Sequence, residues 1–186
     1  MARRFGKPSG KIMALKLPKN TLVLGGQRSG KSYYAEQMIE TAGGGHYLAT
    51  AQAFDEEMTA RIETHQGRRG SLWTTHEEPL EIARLIIEKT RNEKPVLVDC
   101  LTLWLSNMML AERDIESALE GLVDALANSN GPVVLVSNEV GQGVIPDNAL
   151  ARQFVDCAGR MNRLVAEASE RVVFLTAGIP QILKDI

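Results

Sequence analysis

Leu22-Val-Leu-Gly-Gly-Gln-Arg-Ser-Gly-Lys-Ser32 decides the reading of this chain. A short apolar run is followed by Gly25, Gly30, Lys31 and Ser32 at the G-x-x-x-x-G-K-[ST] spacing of a phosphate-binding loop. Glycines at those positions let backbone N–H groups turn inward around phosphate oxygens, and the helix that follows points its positive dipole end at them. The cradle would run through Gly25, Gly26, Gln27, Arg28, Ser29 and Gly30, with Lys31 reaching the β/γ-phosphates and the Ser32 hydroxyl on Mg²⁺. The pattern alone arises by chance, so context matters. Here a strand (Thr21–Leu24) and a helix (Ser32–Glu40) flank it on the correct sides.

Further apolar, β-branched runs recur at Tyr47–Thr50, Val96–Cys100, Val133–Ser137 and Val172–Thr176. Segments of helical period separate them. Ile115, Ala118, Leu119, Leu122, Val123 and Leu126 follow the i, i+3, i+4, i+7 rule, with Asp114 as N-cap. Leu150 to Ala168 marks a longer helix and Leu80–Lys89 another, with Pro79 in its first turn. Nearly continuous apolar strands alternating with helices predict an α/β fold: a RecA-like, mainly parallel sheet with helices on both faces, as in P-loop NTPases. One domain over residues 21–186 is expected, preceded by a flexible basic arm, 1–20.

The bulk properties narrow the function. The chain has 186 residues and a formal net charge of −2. The arm carries Arg3, Arg4, Lys7, Lys11, Lys16 and Lys19; without these six charges the remainder stands at −8, which does not attract a polyanion. No nucleic-acid partner is expected. No stretch is apolar and long enough for membrane insertion, and the arm lacks the apolar core of a signal peptide. Cys100 and Cys157 belong to no metal-spaced pair and read as reduced core residues of a cytoplasmic protein.

In parallel sheets, ligands bind beyond the carboxyl ends of the strands. Asp99 closes the run Val96-Leu-Val-Asp99 and there suits a Mg²⁺-holding carboxylate, although Asp is equally a favoured N-cap for a helix starting near Leu101. His46 precedes a strand, and His76 is placed at a helix start; both read as structural. Between Asp55 and Gln66 the spacing is helical, with Met58, Arg61, Ile62 and His65 on one face and Arg68 and Arg69 at its end. Guanidiniums around one imidazole would clamp phosphates and keep the ring neutral, fit to act as nucleophile or base. Residue chemistry alone favours a surface helix with an inert charge run.

A wider set of motifs reverses that preference. Besides Gly25–Ser32 the chain carries Tyr47-Leu-Ala-Thr-Ala-Gln52, then Asp55-Glu-Glu-Met58 with Arg61-Ile62 and His65. Trp73 with Glu77-Glu-Pro79, Asp99-Cys-Leu-Thr102, Ser137-Asn-Glu-Val-Gly-Gln-Gly-Val-Ile-Pro146 and Arg152-x-Phe154-x-Asp156-x-x-Gly159-Arg160-x-Asn162 follow in order. Together, across about residues 21–186, they resemble the bifunctional adenosylcobinamide kinase / adenosylcobinamide-phosphate guanylyltransferases of cobalamin biosynthesis. The resemblance implies two reactions. A nucleoside triphosphate (ATP or GTP) phosphorylates the aminopropanol hydroxyl of adenosylcobinamide. GTP then donates GMP to that phosphate through a guanylylated histidine, which corresponds to His65, releasing pyrophosphate and giving adenosylcobinamide-GDP.

The resemblance further implies that Ser32 and Asp99 hold Mg²⁺ and that Arg61, Arg68 and Arg69 neutralise charge on the phosphates. Ala51, Gln52, Ala53, Arg68, Arg69, Gly70, Ser71 and Glu77 contact the guanine nucleotide, and the chain forms a trimer. Glu139 and Asp99 compete for the carboxylate that orients or deprotonates the cobinamide hydroxyl. Two departures stand out. Thr64 precedes His65 where some relatives carry a second histidine, and Arg68-Arg-Gly-Ser71 replaces an Arg-Pro-type segment. Two other readings compete: a small-molecule kinase in which His65 is inert, and a non-catalytic RecA-like nucleotide switch.

Overall fold

In the computed structural model, residues 17–52, 70–91 and 93–186 are described. The elements in chain order are β1 (Asn20–Gly25), α1 (Lys31–Thr41), β2 (Gly45–Ala49), β3 (Trp73–Glu77), α2 (Ile82–Lys89), β4 (Val96–Asp99), α3 (Leu101–Leu110), α4 (Ile115–Ala127), β5 (Val133–Asn138), α5 (Ala149–Ala168), β6 (Arg171–Thr176) and β7 (Ile179–Asp185). The seven strands form one sheet in the order β3-β2-β4-β5-β1-β6-β7. All neighbours are parallel except β6 and β7, which pair antiparallel.

The central strands are apolar on both sides because both sides are covered. On one face Leu22, Leu24, Leu48, Val96, Val98, Val133 and Leu135 pack beneath apolar side chains of α2, α3, α4 and α5. On the other, Val23, Tyr47, Leu97, Val134, Val136, Val173 and Leu175 meet Ala35 and Ile39 of α1. The helices are therefore divided unequally, four against one among the described residues. Asp114 caps α4 through the Ser117 N–H, as its place in the sequence predicts, and Asn148 caps α5 through Ala151.

Several expectations need correction. β3 and β7 carry no strong apolar run and lie at the two edges of the sheet. His76 lies inside β3, not at a helix start, and His46 lies inside β2 rather than before it. α2 begins at Ile82, so Pro79 precedes it; the Glu78 carboxylate accepts the N–H groups of Leu80 and Glu81 instead. Cys100 is buried, whereas Cys157 is only partly covered; both are free thiols. Before the sheet, Lys19 donates its N–H to Glu170 (2.7 Å) and its amino group to the carbonyl of Ala127 (2.7 Å), so the chain is tied to the body just ahead of β1. The segment 53–69, with Ala53, Arg61, His65, Arg68 and Arg69, lies outside the described residues, as do residues 1–16 of the basic arm.

Candidate active site

The carboxyl ends of β1, β4 and β5 lie side by side, and the chemistry-bearing residues gather there. β1 delivers Gly25, and the loop 25–30 turns back to start α1 at Lys31. Close approach explains Gly25: its φ is +152°, and a Cβ would stand 2.5 Å from the carbonyl oxygen of Leu175 on β6. Gly30 takes the left-handed conformation (φ 96°, ψ 7°) as N-cap of α1, releasing the first-turn N–H groups toward the loop. Neighbouring loops fasten the cradle. Gly25 O accepts from Glu139 N–H (3.0 Å), and Ser29 O accepts from Gly178 N–H (3.0 Å). Within it the Ser29 hydroxyl is buried without a partner among the described residues, while Gly26, Gln27 and Arg28 are exposed.

Lys31 is buried and folds back, its Nζ donating to Gly26 O at 2.7 Å. Burial holds its pKa below the ordinary lysine value, partly opposed by the neighbouring Cys100 and Asp99. Asp99, at the end of β4, does not cap the helix after it. The N-cap of α3 is Cys100, which makes no side-chain cap, while Asp99 Oδ2 accepts from the Tyr47 hydroxyl at 2.6 Å. Asp99 Oδ1 receives no hydrogen bond from the described residues. With the half-buried hydroxyl of Ser32, that leaves two hard oxygen donors beside the loop, a donor set that suits Mg²⁺.

The strand order gives these parts their setting. β5 separates the phosphate-loop strand β1 from the Asp99 strand β4. Against known proteins, the family model described as cobinamide kinase / cobinamide phosphate guanyltransferase matches residues 21–183. This chain belongs to that family. A bifunctional adenosylcobalamin biosynthesis protein (CobP) of Pseudomonas aeruginosa is 45% identical over 166 residues, covering 88% of this chain and 96% of the relative. Its counterpart in Salmonella typhimurium (CobU) is 38% identical over 173 residues, covering 85% and 96%. Among solved structures, a Pyrococcus horikoshii protein matches with a TM-score of 0.53 at 10% identity, covering 93% of this chain and 89% of that one. A type III secretion ATPase matches at 0.52 and 11%, covering 84% and 51%. At such identities these two show the P-loop fold alone.

Within this member of the cobinamide kinase / guanyltransferase family, the expected site residues separate into groups. Gly25–Ser32, Ala51, Gln52, Glu77, Asp99 and Glu139 all lie at or just beyond the carboxyl edge of the sheet. Gly70 and Ser71 do not join them. They form the turn before β3, where Gly45 N–H donates to Leu72 O (3.0 Å) at the amino end of β2, a strand's length from the phosphate loop. Glu139 bends into its own turn, with Oε1 accepting the Gly141 N–H at 2.7 Å.

Behind the edge runs a polar chain whose members the sequence displays without revealing their connection. Ser137 Oγ donates to Asn162 Oδ1 (2.6 Å), Asn162 Nδ2 to Asn138 O (3.1 Å), and Asn138 Nδ2 to Thr102 Oγ1 (2.9 Å). Thr102 Oγ1 in turn lies 3.1 Å from Cys100 Sγ. Cys100 is no nucleophile: burial above all, and then the Asp99 charge, push its thiol up to about 11. Among the described residues no cluster of three or more His, Cys, Asp or Glu could hold a metal ion, and no helix is long and apolar enough to cross a membrane.

Proposed function

We propose that this chain phosphorylates the aminopropanol hydroxyl of adenosylcobinamide with a nucleoside triphosphate and then transfers GMP from GTP to the product, giving adenosylcobinamide-GDP and pyrophosphate. The observation that carries the proposal is the convergence of a glycine-pinned phosphate loop, Lys31 and Asp99 at one edge of the sheet, in a chain that matches its family from residue 21 to 183. In the kinase step the loop N–H groups and Lys31 hold the triphosphate, exchanging the Gly26 carbonyl for a phosphate oxygen on the lysine. Ser32 and Asp99 would hold Mg²⁺, which supplies charge neutralisation between the phosphates. Glu139 takes the hydroxyl proton, since Asp99 is already engaged with Tyr47 and with the cation site.

For nucleotidyl transfer, His65 attacks the α-phosphorus of GTP, the bond to the bridging oxygen breaks, and pyrophosphate leaves. A phosphate oxygen of adenosylcobinamide phosphate then attacks the same phosphorus and the P–N bond breaks, returning the electron pair to the imidazole. Arg61, Arg68 and Arg69 neutralise the oxygens in both steps, and Ala51, Gln52, Ala53 and Glu77 face the guanine nucleotide. We place the protein in the cytoplasm as a homotrimer, the latter to be read from its solution mass.

The deciding experiment incubates the protein with Mg²⁺ and GTP labelled at the α- or the γ-phosphate, denatures it, and follows label on the chain. Acid-labile, alkali-stable α-label that disappears in His65→Ala is expected. Absence of α-label from a nucleotide-binding preparation would remove the guanylyltransferase and leave a kinase or a nucleotide switch.

A further inference from the structure

The carboxylate of Asp99 is fixed by β2 and by nothing in its own strand. β2 and β4 pair with Tyr47 opposite Leu97 and Ala49 opposite Asp99, so Tyr47 and Asp99 are diagonal neighbours on one face of the sheet. The Tyr47 ring is 3% exposed and meets Trp73 edge-on, with centroids 5.8 Å apart and planes at 82°. A ring so enclosed holds its hydroxyl still. That hydroxyl donates to Asp99 Oδ2 at 2.6 Å, the length of a charge-assisted bond. The main chain beneath is held from the same strand end. Thr50 N–H donates to Asp99 O (3.1 Å), and the Thr50 hydroxyl both accepts from Cys100 N–H and donates to Cys100 O, each at 2.8 Å.

A lone carboxylate at a strand end can turn about two side-chain bonds, and Mg²⁺ demands oxygen donors in near-ideal octahedral places. We infer that Tyr47 is a positioning residue of the nucleotide site: its hydroxyl occupies Asp99 Oδ2 and thereby presents Oδ1 to the cation. This rests on the reading of Asp99 as a Mg²⁺-holding residue. Partners one shell out from a metal are typically worth about 10–100-fold in metal affinity.

The test is Tyr47→Phe, which keeps the ring and its contact with Trp73 and removes the one oxygen. Binding of a fluorescent GTP analogue is titrated with Mg²⁺, and separately measured without metal. The half-saturating Mg²⁺ concentration should rise by about tenfold, with metal-free nucleotide affinity and melting temperature close to the parent's. Asp99→Asn should raise it at least as far, and adding Tyr47→Phe to Asp99→Asn should change nothing more. If Asp99→Asn shifts the Mg²⁺ requirement and Tyr47→Phe does not, the positioning role is overturned while the site stands. If Asp99→Asn leaves the requirement unchanged, the reading of Asp99 fails, and the inference with it.

Discussion

The amino group of Lys31 donates to the carbonyl oxygen of Gly26, 2.7 Å away, across the loop that the lysine itself closes. The same group is buried, and burial lowers its pKa despite the negative charge of Asp99 nearby. The folded-state pKa thus lies below the unfolded value. Wherever the amine is protonated in both states, the folded chain carries the cost of enclosing an ammonium, and that cost is relieved as pH rises from the lowered folded-state value toward the unfolded one. Lys31→Met should therefore raise the melting temperature at pH 7 while lowering kinase turnover by about 100-fold or more, as expected for removal of a charge-stabilising group. Calorimetry beside a γ-phosphoryl transfer assay checks both. A lower melting temperature would show that the bond to Gly26 and the pull of Asp99 outweigh burial.

Gly25 tests the loop's shape rather than its charge. An alanine there would bring a methyl to 2.5 Å from backbone oxygen on β6 and 2.7 Å from the Ser29 hydroxyl. The hydroxyl can turn away, but a carbonyl inside a parallel ladder cannot. Gly25→Ala should cost more than about 2 kcal/mol in denaturant unfolding and weaken triphosphate binding. Gly26→Ala meets open space and should fold like the parent, which makes it the control.

Glu139 sits one main-chain hydrogen bond from Gly25, and its carboxylate closes a turn with Gly141. If it is the proton acceptor of the kinase step, Glu139→Gln should lower kinase kcat by about 100-fold with nucleotide affinity preserved, since an amide oxygen still accepts from Gly141. Transfer of GMP to pre-formed cobinamide phosphate should continue. Loss of both activities together would assign Glu139 to the turn's geometry and return the base role to Asp99.

The legible and illegible parts of this fold divide along burial. Val96–Asp99 and Val133–Asn138 are enclosed by helices on both faces, so their composition announces strands. Trp73-Thr-Thr-His-Glu77 and Ile179–Asp185 pair on one side only and stay largely exposed, so no apolar periodicity is imposed on them. His76, inside that exposed edge strand, therefore carries no strand signal of its own. The phosphate loop was readable because its chemistry is local: glycines, lysine and serine act within eight residues. Asp99 was readable as a residue, but its partner was not. Tyr47 meets it only through the pairing of β2 with β4, strands separated by β3 and α2 in sequence. Gly70 and Ser71, which the resemblance assigns to the guanine nucleotide, precede the amino end of β3 in the parallel β2–β3 register, a placement that only the pairing of the strands makes visible.

His46 and His76 face each other across β2 and β3, with His46 Nδ1 3.0 Å from His76 Nε2. Such contact requires at least one neutral ring, whose bare nitrogen accepts the N–H of the other. Both pKa values lie below the ordinary histidine value. Burial is the first cause for each; repulsion from His76, Lys94, Lys89 and Arg91 adds to it for His46, and Lys89 adds to it for His76. The unfolded chain therefore binds protons first as pH falls. The pair's contribution is fully present above about 6.5 and is lost as pH drops through the lowered folded-state values. The parent protein should melt at a lower temperature at pH 5.5 than at pH 7.5, and His46→Gln/His76→Gln should narrow that difference. Equal differences in parent and double variant would mean that protonating the pair costs the fold nothing, and that the basic side chains around it are too well solvated to oppose the charge.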